Sequence, residues 1–246
     1  MKAMLAVMRK ELLTYFSSPL AYVILTAFLF VNGYFFSIIV AYLSQPGVPP
    51  GAPLKAFFGG SFFYWLFILL VVSALTMRLV SEERRSGTIE FLMTTPISDM
   101  EVILGKYFAS LLYYIFLWSF TLIYVIIIHT HTPVELGPVF TGYLGIILHG
   151  ALFLSAGIFA STFSKNQVVS AIWSFVILIF LFSVGLLVNL VPTQAWRDAV
   201  EYVTLWQQMD DFSKGIVDSR ALVYSISLTV LFLFLSAQTL SVRKWR

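Results

Sequence analysis

The chain has 246 residues, of which 59% are apolar and only 11% charged, whereas an ordinary soluble domain carries about 25% charged residues. A water-soluble fold with that composition would lack a polar coat, so a soluble enzyme, a nucleic-acid-binding domain and a disordered tail are excluded. The formal charge of +3, from 15 Lys and Arg against 12 Asp and Glu, implies no nucleic-acid partner and matters through its placement along a membrane chain.

At the N-terminus, residues 1–18 read as an amphipathic helix. At 100° per residue, Met4, Leu5, Met8, Leu12, Tyr15 and Phe16 fall within about 120° of one another, with Lys2, Arg9 and Lys10 outside that arc. Such a helix lies in the membrane interface, and Ser17-Ser18-Pro19 ends it. The competing reading, a cleavable signal peptide, needs an apolar region of about 7–15 residues with a small-residue cleavage site; here the apolar run continues to Leu43.

A bilayer core takes about 20 apolar residues per helix. Six segments qualify: Leu20 to Leu43, Phe62 to Val80, Leu104 to Ile128, Phe140 to Phe163, Val168 to Val191 and Ala221 to Val242. Only Ser164-Lys165-Asn166-Gln167 separates the fourth from the fifth, which makes a short turn at one membrane face. Counted by alternating side, eleven basic residues share the side of the N-terminus: Lys2, Arg9, Lys10, Arg78, Arg84, Arg85, Lys106, Lys165, Arg243, Lys244 and Arg246. Four, Lys55, Arg197, Lys214 and Arg220, fall on the other. This positive-inside bias predicts an even number of spans with both termini cytoplasmic.

The stretch between the second and third spans is the one densely polar connection. Ile89, Leu92 and Met93 stand at helical spacing after Gly87, next to Glu90, and Thr94-Thr95-Pro96 stops that short helix. Ser98-Asp99-Met100-Glu101 matches a capping box that starts the third span. Taken singly, Glu82, Glu83, Arg84 and Arg85 read as solvated charges. A two-turn apolar helix held at the cytoplasmic face with nothing of its own to cover it reads instead as a contact for a partner.

On the outer side, Ser44 to Ser61 is rich in Pro and Gly and reads as an irregular excursion. Within Pro192 to Arg220, Trp196, Val200, Val203, Leu205, Trp206, Met209 and Phe212 predict one or two short amphipathic helices at the interface. With no internal repeat and no separate soluble unit, residues 1–246 read as one transmembrane domain. The expected fold class is thus an all-α membrane protein with six spans, an interfacial N-terminal helix, a cytoplasmic contact helix and short outer helices.

Other constellations carry less chemistry. No G-x-x-x-x-G-K-[ST] loop occurs, so this chain cannot cradle the phosphates of ATP. The absence of Cys removes thiolate nucleophiles and Cys-ligated metals. His129 and His131 form a His-x-His pair with Glu135 as the nearest carboxylate; a polar loop cluster is the preferred reading over a metal site. His149, inside the fourth span, reads as a neutral imidazole bonded to a neighbouring helix. Asn32, Ser73, Thr76, Ser174 and Ser183 are candidate path-lining residues, although hydroxyls in spans mostly bond locally. Gly145, Gly150, Ala151, Ser155, Ala156 and Gly157 predict close helix packing on the fourth span.

The run Glu83-Arg84, Gly87-Thr88, Glu90, Leu92, Thr95-Pro96, Ser98, Glu101 and Gly105-Lys106 resembles the pattern of ABC-2 type transporter permeases. It is most like the branch associated with gliding motility and nitrous oxide reductase maturation. Asp211-Phe212-Ser213-Lys214-Gly215 and Val217-Asp218 resemble the stretch before the last span in that branch.

The resemblance implies an exporter-type permease subunit in a bacterial inner membrane, with ATP and Mg bound by a separate ATPase, two copies of which are expected, and no cofactor on this chain. It implies a coupling contact at Glu82, Glu83, Arg84, Arg85, Gly87, Thr88, Ile89, Glu90, Leu92 and Met93, with a second at Lys165 and Asn166. It also implies a second permease subunit, as homodimer or heterodimer, and leaves room for an accessory membrane or periplasmic protein.

Two other function classes compete with this one. An ion-coupled carrier or channel should carry mid-span carboxylates or a mid-span Lys, and none is present. A non-transporting scaffold or intramembrane enzyme lacks support from any H-E-x-x-H motif or carboxylate pair within the spans.

Overall fold

A computed structural model describes residues 2–43, 57–58, 62–87, 97–131, 135–186 and 200–242. Among the described residues the regular structure is all helical, without a strand. In chain order the helices are α1 (Lys2–Ser17), α2 (Pro19–Leu43), α3 (Phe62–Thr76), α4 (Ser81–Ser86), α5 (Asp99–Ser119), α6 (Leu122–His131), α7 (Leu136–Ser161), α8 (Gln167–Ser183), α9 (Leu205–Ser213) and α10 (Ser219–Val242). Six stretches are long and apolar enough to cross a membrane, in the order predicted from sequence.

α7 stands at the centre, against α3, α5, α8, α9 and α10. Its small residues are the cause. A Cβ added at Gly142, Gly145, Gly150 or Gly157 would come closer than 3.0 Å to Phe58, Phe212, Tyr114 and Thr76 respectively. Each glycine therefore receives one side chain from a different part of the chain, which is how one span touches so many neighbours. The apolar residues on the outward faces of α2, α8 and α10, such as Phe30, Phe180 and Val230, stay exposed, as lipid-facing positions do.

Three spans depart from their predicted continuity. The third starts at Asp99, five residues before the predicted Leu104, on the capping box that the sequence signals: Ser98 Oγ accepts the Glu101 N–H at 3.2 Å and the Glu101 carboxylate accepts the Ser98 N–H at 3.4 Å. It then breaks at Phe120-Thr121 between α5 and α6. There the Thr121 hydroxyl bonds the Trp118 carbonyl at 2.7 Å and the Tyr143 hydroxyl of α7 at 2.8 Å, competing with the helical ladder.

The second span closes its regular helix at Thr76, before the predicted Val80, and passes through a turn at residues 77–80 into α4. Ser73 and Thr76 bond the carbonyls of Leu69 and Val72, four residues back, and Ser81 does the same to Met77, a pattern that bends helices. α4 ends at Gly87, whose φ of 72° caps it in the left-handed region. The fifth span is helical to Ser183; its predicted outer end at Val191 lies outside the described residues.

α1 does more than lie in the interface. Val7 and Glu11 are buried, with Met4, Met8 and Tyr15 half-buried beside them, and this stripe docks along α5. Leu5, Leu13 and Phe16 remain exposed. The predicted apolar arc is therefore shared: one edge meets the bundle and the other faces the membrane. Gly105 sets the closeness, since a Cβ there would lie 2.8 Å from both the Met4 carbonyl oxygen and Val7 Cβ.

Candidate functional site

The predicted contact residues that are described, Glu82 to Arg85, Gly87, Lys165 and Asn166, gather at the end of the bundle that carries α1, α4, the start of α5 and the α7–α8 turn. At its centre is Lys106, 1% exposed. Its Nζ lies 2.7 Å from Glu11 Oε1 on α1 and 2.9 Å from Glu83 Oε2 on α4. Glu83 Oε1 in turn accepts from Lys10 Nζ at 2.8 Å, and Lys10 stands 3.7 Å from Glu11. Four groups of alternating sign thus close a ring across three elements, with no net charge.

A buried ammonium left alone would cost several kcal/mol, so the ring is what allows a lysine to sit among helices. Burial works against the charge of Lys10, but Glu83 and Glu11 outweigh it and hold its ammonium above the ordinary lysine value of 10.5.

Around the ring two arginines are also engaged. Arg78 bonds Glu82 at 2.9 Å and Ser18 Oγ at 2.8 Å, tying α4 to the α1–α2 corner. Arg84 donates to the Thr162 carbonyl just after α7. That bond sets the α4 segment beside the second predicted contact, where Lys165 and Asn166 are exposed and the Asn166 side chain caps α8 by accepting the Val168 N–H at 2.9 Å.

Of the predicted contact residues, Glu83 is buried, Glu82 and Arg84 are half-buried, and Arg85 and Gly87 are exposed. Thr88, Ile89, Glu90, Leu92 and Met93 lie outside the described residues.

The family described as ABC-2 family transporter protein matches the chain over residues 8–243. The chain belongs to that family. An ABC-2 permease is the membrane component of an ATP-binding-cassette transporter and generally works with a separate ATPase subunit. No curated protein matches the sequence significantly. Six apolar helices together with membership of the ABC-2 family make this an integral membrane protein.

The candidate path residues of this ABC-2 permease are turned to its own interior. Asn32, Ser73, Thr76 and Ser174 are buried. Asn32 bonds the Phe28 carbonyl at 2.8 Å, and the Thr76 and Ser174 hydroxyls lie 3.5 Å apart across α3 and α8. Ser183 is half-buried at the end of α8.

At the opposite end of the bundle, α9 packs on α7 through Leu205, Met209 and Phe212, as the amphipathic pattern predicts. Trp196 lies outside the described residues. Gln208 joins this face too. Its amide donates to the Tyr202 carbonyl at 2.6 Å, so its oxygen is left to accept Nε2–H of His149 at 3.1 Å.

Glu11 and Lys10 are members of the ring that the sequence patterns above do not assign to any site. A signal for Glu11 exists: on a wheel it falls between Met4 and Val7, a carboxylate inside an apolar sector. Such a residue needs a buried cation, and in the sequence Lys106 stands out only as a positive-inside charge.

Proposed function

We propose that this chain is an exporter-type ABC-2 permease subunit, in the gliding-motility and nitrous-oxide-reductase-maturation branch, that docks on its ATPase through the connection between its second and third spans. The observation that supports this is the Arg84 to Thr162 bond, which sets the first inner connection against the turn holding Lys165 and Asn166. Two connections joined at one end of a bundle make a composite surface of the kind a single partner can grip. The charge bias supports a cytoplasmic location for that end and for both termini, and the family resemblance supports an inner membrane.

ATP and Mg then belong to the ATPase, with two copies of it serving two permease subunits, identical or related, because one six-span unit encloses too little wall for a sizeable path. On this reading Ile89, Leu92 and Met93 form the apolar contact, with Thr88 and Glu90 at its edge.

Leu92→Asp tests the proposal. A carboxylate there buries an unpaired charge in the contact, at a cost of about 2–5 kcal/mol by analogy with other interfaces. At matched expression in membranes, the variant should insert and dimerise while losing ATPase capture in a pull-down. Undiminished binding and ATP hydrolysis would rule this segment out as the docking element.

A further inference from the structure

Among Glu82, Glu83, Arg84 and Arg85, Glu83 alone is buried, and it points into the bundle. Its carboxylate is divided between two elements, Oε1 to Lys10 of α1 at 2.8 Å and Oε2 to Lys106 of α5 at 2.9 Å. Those two elements are already one body: Lys106 bonds Glu11 at 2.7 Å, and the backbone of α1 lies against Gly105 with no room for a Cβ. The inner loop is therefore fastened to that body through Glu83.

We infer that Glu83 is a positioning residue for energy coupling: it hitches the ATPase-contacting loop to α1 and to the inner end of the third span, so that ATP-driven movement of the loop carries both. This rests on the docking reading above. The reason is electrostatic. Lys106, at 1% exposure, keeps Glu83 in any conformation the protein visits, because withdrawing that carboxylate leaves two ammonium groups, Lys106 and Lys10, to share Glu11 alone. The tie from α4 to the α7–α8 turn is of a weaker kind, one guanidinium to a neutral backbone carbonyl, and can be exchanged for water. Motion should therefore open between α4 and the α7–α8 turn, leaving α4, α1 and α5 together.

The test uses the permease reconstituted with its ATPase. The wild-type chain has no Cys, so spin labels at Ala6→Cys on α1 and Leu136→Cys at the start of α7, both exposed, report one distance. In the wild-type complex that distance should change on ATP addition. Glu83→Gln should still capture the ATPase, yet lose the ATP-driven distance change and lower stimulated hydrolysis roughly tenfold or more, within the usual range for coupling between sites.

Glu83→Gln leaves an unbalanced positive charge, so Glu83→Gln/Lys10→Met is the second variant. It restores neutrality and keeps the Lys106–Glu11 pair, so it should fold like wild type and still be uncoupled. Glu83→Asp should recover much of the coupling. The inference is overturned if the double variant couples normally, or if α1 does not move with ATP in the wild type. Failure of the wild-type chain to capture the ATPase would instead overturn the docking reading.

Discussion

His149, 1% exposed in the fourth span, donates Nε2–H to Gln208 Oε1 on α9 at 3.1 Å. The Gln208 amide is held by the Tyr202 carbonyl at 2.6 Å, which fixes both its orientation and the imidazole tautomer. Gln208→Leu strips partners from a buried imidazole N–H and a backbone carbonyl, at about 1–3 kcal/mol. The expected result is a loosened α9. Its readout is labelling of Leu205→Cys, 1% exposed in the native protein, by a membrane-impermeant maleimide. Gln208→Leu/His149→Phe, which removes both partners, should label less than Gln208→Leu alone.

Close packing on α7 gives a second expectation. Gly150→Ala drives a methyl into the buried Tyr114 ring, an overpacking that typically costs about 1–3 kcal/mol. Gly137→Ala, also on α7 but with nothing within 4 Å of its Cβ, should be neutral or slightly stabilising. Unfolding temperatures in detergent, at one scan rate, should separate the two; equal temperatures would contradict the packing described.

The charge ring predicts strong non-additivity. Glu11→Gln or Lys106→Met alone leaves a buried charge short of a partner and should cost about 3–5 kcal/mol. Glu11→Gln/Lys106→Met keeps the Lys10–Glu83 pair and should cost clearly less than the sum. Lys10→Met should be the mildest single change, because the Lys10 side chain is 58% exposed. Reversing only two members, Glu83→Lys/Lys106→Glu, should not rescue, because it sets like charges against Lys10 and Glu11. Thermal inactivation of the purified variants is the measurement.

Lys10 also gives a pH dependence. Its ammonium is held above 10.5 by Glu83 and Glu11 against the effect of burial. A raised value on a base means that its stabilisation is complete below 10.5 and is lost as pH rises through the folded value. The mobility of a spin label at Ala6→Cys should stay flat from neutral pH to about 10 and rise only above 10.5. Unchanged mobility as the pH rises well above 10.5 would show that Lys10 does not contribute to holding α1.

Topology is the fifth expectation. Reporters at Pro49, Leu136 and Gln208 should be outside, and those at Gly87, Asn166 and the C-terminus inside, following the eleven-to-four division of basic residues. Labelling of the Ser81 to Pro96 connection from the outer side would contradict the orientation.

Local chemistry makes the spans, the start of α5 and the inward face of α9 readable from sequence. A run of apolar residues, a Ser-x-x-Glu box and a period near 3.6 each act within a few neighbouring residues, so Ser98 with Glu101, and Leu205 with Met209 and Phe212, need no knowledge of the rest of the chain. The glycines of the fourth span announce close packing but not their occupants: Tyr114 and Thr76 are chosen by how three spans meet. The break at Thr121 is likewise invisible in the sequence, because the second partner of its hydroxyl is Tyr143 on another helix. The ring at Lys106 is hidden most completely. Lys106 and Glu11 are 95 positions apart, and sequence periodicity places a charge on a face without naming what that face will meet. Only when α1 settles against Gly105 does a lysine counted among the inner charges become the buried centre of the cluster.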